Sequence, residues 1–234
     1  MPPGKNYFTL AMQQLKHTIK TAGGFKEFLK FMLAFLIYND GVIMALDFAA
    51  IIGAVLFGLD QQGLIIFVII VQITNVIGAF GFGWAVDRFQ GKPTLVAALI
   101  LMIAVVFALY FAQSTTAFFV IGALAGIAMA GAQSVSRTMV GMFSPPGKSA
   151  EFYGLFAVVG RTSSFIGPTI YGIIAAKWRF TTWAQGQNVI LAEQGGQRVA
   201  ILSIAAFLII GLILLLFVNE EKARTAARDV EHDA

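Results

Sequence analysis

Cysteine is absent from the 234 residues, which removes disulfides, iron–sulfur clusters and thiolate metal sites, and leaves the redox state of the compartment unrecorded. Histidine is nearly absent. His17 and His232 lie in polar terminal segments, so a haem or histidine-held pigment within the apolar segments has no ligand to use. Charge is scarce as well: 12% of residues are Asp, Glu, Lys or Arg, against roughly 25% in ordinary soluble domains. No Gly-rich loop closing on Lys-Ser or Lys-Thr is present to hold a nucleotide. No cluster of metal ligands, no Ser/His/Asp set and no paired carboxylates in a polar site can be assembled, so neither an enzyme nor a cofactor is expected.

What remains is apolar. Hydrophobic residues make up 58% of the chain and the mean hydropathy is +0.81, values that suit lipid rather than water. Crossing a hydrocarbon core of about 30 Å takes about 20 helical residues, and six segments are long enough. They are Phe28 to Phe57, Gly63 to Val86, Thr94 to Ala112, Thr116 to Met142, Glu151 to Ala176 and Val199 to Val218. The expected fold class is therefore an all-α integral membrane bundle of six helices. Short connectors rich in Gly, Pro, Asp and Ser fit turns between antiparallel neighbours, and Lys177 to Arg198 is expected as the one long connector.

Three regions follow: a leader over 1–27, the bundle over 28–218 and a charged tail over 219–234. Within the leader, Phe8, Met12, Leu15 and Ile19 recur at helical spacing, as in a short amphipathic helix lying on a surface. Residues 1–20 lack a continuous apolar core, so the first span itself is expected to direct insertion. Lys and Arg gather on one side of the membrane, at Lys5, Lys16, Lys20, Lys26, Lys30, Arg88, Lys92, Arg137, Lys148, Lys222, Arg224 and Arg228. The other side has Lys177, Arg179 and Arg198. The rich side is read as cytoplasmic, with both termini inside. The net charge of +4 thus reports topology, and no nucleic-acid partner is expected.

Ionisable groups at membrane depth are expensive and normally face water or a partner. Asp40 sits in Tyr38-Asn39-Asp40-Gly41 of the first span, and Asp47 lies two helical turns further on. Arg161 occupies the fifth span. Rises of ~1.5 Å per residue place Asp40 about 18 Å and Arg161 about 15 Å from the same side, so an ion pair between them is within reach. Such a pair either fixes helix packing or serves substrate or proton binding. Gln133 and Arg137, four apart in Gln133-Ser134-Val135-Ser136-Arg137 of the fourth span, share a face and are expected to point toward a cavity or a neighbouring helix. Gly122, Gly126 and Ala130 form a small-residue stripe on the same span, with Gly78, Gly81 and Gly83 on the second, which suits close intramolecular helix contacts. Gly167-Pro168 is expected to kink the fifth span.

Between the second and third spans stands Gly83-Trp84-Ala85-Val86-Asp87-Arg88-Phe89-Gln90-Gly91-Lys92-Pro93. It resembles the signature loop of the major facilitator superfamily, with Gly83, Asp87, Arg88 and Lys92 in the loop's positions. Gln90 replaces the usual glycine, and Gly91 stands where a basic residue is common. Tyr38-Asn39-Asp40-Gly41, the polar run at Gln133 to Arg137, and Pro145-Pro146-Gly147 leading into Glu151-Phe152-Tyr153-Gly154-Leu155 narrow the likeness to the C-terminal half of the superfamily's vacuole-effluxer-like branch.

The resemblance implies one six-helix half of a two-half transporter, its first, fourth and fifth spans lining a central cavity where Asp40, Gln133, Arg137 and Arg161 fall. It also implies a conformational role for the signature loop and a small solute such as an amino acid as substrate. The implied partners are the lipid bilayer and a second six-helix bundle, from the same chain or a separate N-terminal half. A non-transporting subunit of a larger membrane complex is the competing expectation. A bacterial cytoplasmic membrane is the expected location.

Overall fold

In a computed structural model of the chain, the structure describes residues 25–163 and 165–232, so the amphipathic helix expected in the leader lies outside the described residues. Nine helices are described: α1 Lys26–Asp47, α2 Ala49–Phe57, α3 Gln61–Phe89, α4 Gly91–Phe111, α5 Thr115–Phe143, α6 Ser149–Thr162, α7 Ile166–Ala184, α8 Val189–Leu216 and α9 Glu220–His232. Five of them, α1, α3, α4, α5 and α8, are long and apolar enough to cross a membrane. The remaining expected span is divided between α6 and α7.

Local chemistry sets the helix ends. Asp60, Ser114 and Asn188 precede α3, α5 and α8, and their side chains accept from the N–H groups of Gly63, Ala117 and Ile190 at 2.8, 3.2 and 3.1 Å, satisfying donors that an open first turn leaves unpaired. Gly58, at φ 65°, terminates α2 in the left-handed conformation that an absent Cβ permits.

Three expectations about continuity are corrected. The first span breaks at Phe48, whose ring stacks on Tyr171 with centroids 3.8 Å apart. The fifth span is interrupted rather than kinked. Ser163 Oγ donates to the Gly160 carbonyl at 2.9 Å, and α7 restarts with Pro168 in its first turn, where the missing N–H has no helical partner to lose. The expected long connector is mostly helix, because α7 continues to Ala184 and α8 begins at Val189 under its Asn188 cap.

In the bundle, α3 packs along α5, α4 lies against α5 and α8, and α8 also packs on α1 and α7. The expected small-residue contacts form at Gly78, Gly122 and Gly126, whereas a Cβ on Gly81 or Gly83 would meet open space. A Cβ on Gly78 would sit 2.7 Å from the Ile127 backbone, and one on Gly126 would sit 2.5 Å from the Val71 carbonyl, so the α3–α5 crossing is set by backbone contact. At one end, Phe28, Phe31 and Phe35 of α1 meet Phe152, Phe143 and Phe156 at centroid distances of 4.4, 5.6 and 4.2 Å. There α1, α5 and α6 share an aromatic core.

Candidate functional site

Asp40 is 1% exposed, in the interior of α1. Its Oδ2 accepts the Gly167 N–H at 2.9 Å, so the carboxylate sits on the N-terminus of α7, where unpaired amide donors and the helix dipole favour negative charge. Its Oδ1 is buried and has no hydrogen-bond partner among the described residues. The approach depends on glycine, since a Cβ on Gly167 would lie 2.7 Å from Asp40 Oδ1 and 2.6 Å from Met44 Sδ. Next to it, Asn39 Nδ2 donates to Ser163 Oγ at 2.7 Å. The Tyr38 hydroxyl and Ser136 Oγ are 2.6 Å apart, and Ser136 Oγ also donates to the Ala132 carbonyl. The triplet Tyr38-Asn39-Asp40 thereby reaches α5, the end of α6 and the start of α7.

The expected pair between Asp40 and Arg161 does not form. Arg161 is exposed on α6, and the ion pairs among the described residues are Lys30 with Glu27 and Arg224 with Glu220. An anion held by a helix terminus needs no cation. Asp47, Gln133 and Arg137 are exposed as well. Gln133 and Arg137 share a face of α5, whereas Ala132, Val135, Ser136 and Met139 are buried, so the polar pair faces away from the core. The Arg137 carbonyl accepts from the Tyr153 hydroxyl at 3.1 Å, which ties α6 to the polar turn of α5.

The loop between the second and third spans is compressed to one residue. Helix α3 runs through Asp87 and Arg88 to Phe89, and α4 opens at Gly91. Asp87 and Arg88 are exposed, and open space surrounds Gly83. Lys92 is engaged: its Nζ donates to the carbonyls of Leu216 and Val218 at 2.8 and 2.7 Å, closing the C-terminus of α8. In return Glu220, 7% exposed, accepts the N–H groups of Gly91 at 3.2 Å and Lys92 at 2.7 Å, closing the N-terminus of α4. Glu27 of α1 holds the Asn219 N–H at 2.7 Å. At the other end of the same helices, Arg198 of α8 donates to the carbonyls of Tyr110 and Ala112 at 2.9 and 3.2 Å, closing the C-terminus of α4.

Glu220 and Arg198 were absent from the sequence-based candidates because one reads as part of a charged tail and the other as part of a connector. The available signal was that Arg198 directly precedes the last expected span and Glu220 follows it by two residues, each where a charge of its sign complements the dipole of an antiparallel neighbour.

The vacuole effluxer Atg22-like family matches residues 1–228. An uncharacterized MFS-type transporter, YxiO of Bacillus subtilis (strain 168), is 24% identical over 211 residues, covering 90% of this chain and 45% of that protein. Autophagy-related protein 22 of Coccidioides immitis (strain RS) is 27% identical over 188 residues, covering 74% of this chain and 31% of that protein. Among solved structures, a bacterial homologue of the human lysosomal transporter Spinster, inward-facing and unoccupied, superposes with a TM-score of 0.73 at 16% identity. It covers 98% of this chain and 53% of that one. The chain thus spans half or less of the length of these curated relatives, and the Spinster likeness speaks to fold alone.

Proposed function

The chain belongs to the vacuole effluxer Atg22-like family, and from that premise we propose that it forms one six-helix half of a secondary transporter for a small solute, an amino acid being the first candidate. The reading is carried by Asp47, Gln133, Arg137 and Arg161, which are exposed although they sit within segments otherwise suited to lipid. Charged and amide side chains at that depth are tolerated where they line water or meet a partner. A second six-helix bundle, from an identical chain or from an N-terminal half, would close a cavity over them. Asp40, held on the start of α7, is the proposed coupling residue.

In this reading the end of the bundle with Lys26, Lys92 and Lys222 faces the cytoplasm, by the excess of Lys and Arg there. Residues 28–218 form the membrane domain and the α9 segment lies on the cytoplasmic surface. For a bacterial chain the cytoplasmic membrane is the proposed location. The signature-loop residues Gly83, Asp87 and Arg88 are proposed to engage only in another conformation, because they have open surroundings in this one.

The test is to purify the chain under mild conditions alone and with a candidate N-terminal half, count the bundles per particle, and measure flux of a panel of amino acids in vesicles. A two-bundle particle is expected to carry flux that Arg137→Ala or Arg161→Ala lowers about tenfold or more, the loss of one bond to a charged group. A larger complex in which apolar partners seal these side chains, or a two-bundle particle that moves none of the panel, overturns the reading.

A further inference from the structure

Asp40 is a buried carboxylate with no cation paired to it among the described residues, and its one hydrogen bond among them is to the start of a half-helix. The charged and titratable side chains carried by the elements around it lie toward helix ends, are exposed or are bonded elsewhere. On α1 these are Lys26, Glu27 and Lys30 near its start, Tyr38, bonded to Ser136, and Asp47, which is exposed. Helix α5 brings Arg137, and α6 brings Glu151, Tyr153 and Arg161, both arginines being exposed. On α7 the Tyr171 hydroxyl donates to Gln197 of α8 at 2.7 Å, and Lys177 and Arg179 are exposed. Helix α8 carries Glu193 and Arg198 in its first half and presents Ile204 and Leu208 where it passes Gly41. The grip of α1 on the N-terminus of α7 therefore depends on the state of one carboxyl group.

That grip falls at the interruption of the fifth span. Helices α6 and α7 are separated by a break, and across it α1 holds both sides independently: Asn39 holds Ser163 at the end of α6, and Asp40 holds Gly167 at the start of α7. A hydrogen bond from an amide to an ionised carboxylate is roughly twice as strong as one to a neutral acceptor, and only the ionised form gains from the helix dipole. Adding a proton at the unpartnered Oδ1 removes both gains at Gly167 and leaves the Asn39 bond intact. One side of the break loosens while the other stays fixed.

We infer that Asp40 is a proton-operated latch: ionised, it fastens the N-terminus of α7 to α1, and protonated, it frees α7 to swing at the break while α6 stays in place. The inference rests on the transporter reading for its consequence, a coupling of proton uptake to movement of the outer half of the fifth span. It does not rest on that reading for its test, because the position of α7 can be read without flux.

The absence of cysteine makes the experiment direct. A single cysteine replaces Phe165, which is 76% exposed at the break, and in a second protein Thr169, exposed on α7. Each full chain is reconstituted in lipid vesicles, and its labelling rate with a water-soluble maleimide is corrected for thiolate fraction using a free-thiol standard. The rate is followed from alkaline to acidic pH. Corrected rates are expected to change on the order of tenfold through one titration, the shift one helix-terminus charge contact supports. In Asp40→Asn, which keeps an oxygen for the Gly167 N–H, the rate should stay at its acid-side value at every pH. Asn39→Ala, which retains the carboxyl, should keep the titration. A pH-independent rate in the otherwise unmodified chain, or a titration that survives Asp40→Asn, overturns the latch. Labelling that titrates as stated in a protein without transport would sink the transporter reading and leave the latch standing.

Discussion

The pair α4 and α8 and the pair α1 with α6–α7 are held in opposite ways. Helices α4 and α8 are unbroken, and cations from each close the other's C-terminus: Lys92 at one end of the bundle and Arg198 at the other, with Glu220 adding an anionic cap to α4. The α1 face is discontinuous. Its neighbours α6 and α7 stop and restart, and the stop is held by two side chains, Asn39 and Asp40. A membrane offers no water to absorb open helix ends, so a span whose ends are capped by another span is committed to it. One whose mid-membrane ends are capped by a titratable group is not. The first pair has the character of a frame, the second of a moving part.

The largest effect is expected where α1 meets the frame by backbone. A Cβ on Gly211 of α8 would lie 2.5 Å from Tyr38 Cβ and 2.6 Å from the Tyr38 backbone nitrogen, and backbone cannot yield as a side-chain tip can. Gly211→Ala should destabilise the bundle by about 3 kcal/mol, read as a lowered thermal midpoint in detergent. Gly172→Ala, with open space around it, should be neutral or stabilise by up to ~1 kcal/mol through helix propensity. Equal midpoints for the two variants would mean that α1 and α8 are not in backbone contact.

Next come the caps. Glu220→Ala leaves the Gly91 and Lys92 amides without their acceptor, and Arg198→Ala opens the carbonyls of Tyr110 and Ala112. Each should cost about 2 kcal/mol, as for hydrogen bonds to charged groups. Glu220→Ala combined with Lys92→Ala should cost less than the sum, because both fasten the exit of α8 to the entry of α4. Asn39→Ala, at the break, should cost about 1 kcal/mol while speeding hydrogen exchange at the end of α6 without touching α4. If Asn39→Ala and Glu220→Ala loosened the same amides, the bundle would be one cooperative unit and the contrast would fail.

The helical class, five of the six expected spans and the Gly78–Gly126 crossing were legible because they depend on long apolar runs and on glycine spacing. Asp40, Arg137 and Arg161 stood out as charges where lipid was expected. What could not be read was the partner of each. A helix count put Asp40 and Arg161 at similar depth, but depth says nothing about azimuth, and the structure gives Asp40 a backbone amide instead. Glu220 and Arg198 were invisible for the opposite reason: each looks like ordinary surface charge until an antiparallel neighbour brings its helix end alongside. Pro168 pointed to a bend. Whether it bends or starts a helix depends on Ser163 and Asp40, which no local pattern connects.

Gln90 offers the smallest and sharpest test of the frame. It has φ 74° and ψ 170° between α3 and α4, a region that side-chain-bearing residues occupy at a cost of about 1–3 kcal/mol. This is the place where the resemblance to the superfamily's signature loop calls for glycine, and the backbone keeps glycine's conformation although the residue has changed. The reason lies with its neighbours. A Cβ on Gly91 would meet Met139 Cγ at 2.8 Å, and Gly91 and Lys92 must offer their N–H groups to Glu220, so the turn cannot relax without releasing the cap. Gln90→Gly should relieve the strain at the expense of a more flexible unfolded chain, for a net gain of about 1 kcal/mol. In the Glu220→Ala background, where nothing holds the turn, the gain should shrink toward zero. A gain of the same size in both backgrounds would show that the strain at Gln90 is local to the turn rather than imposed by the cap on α4.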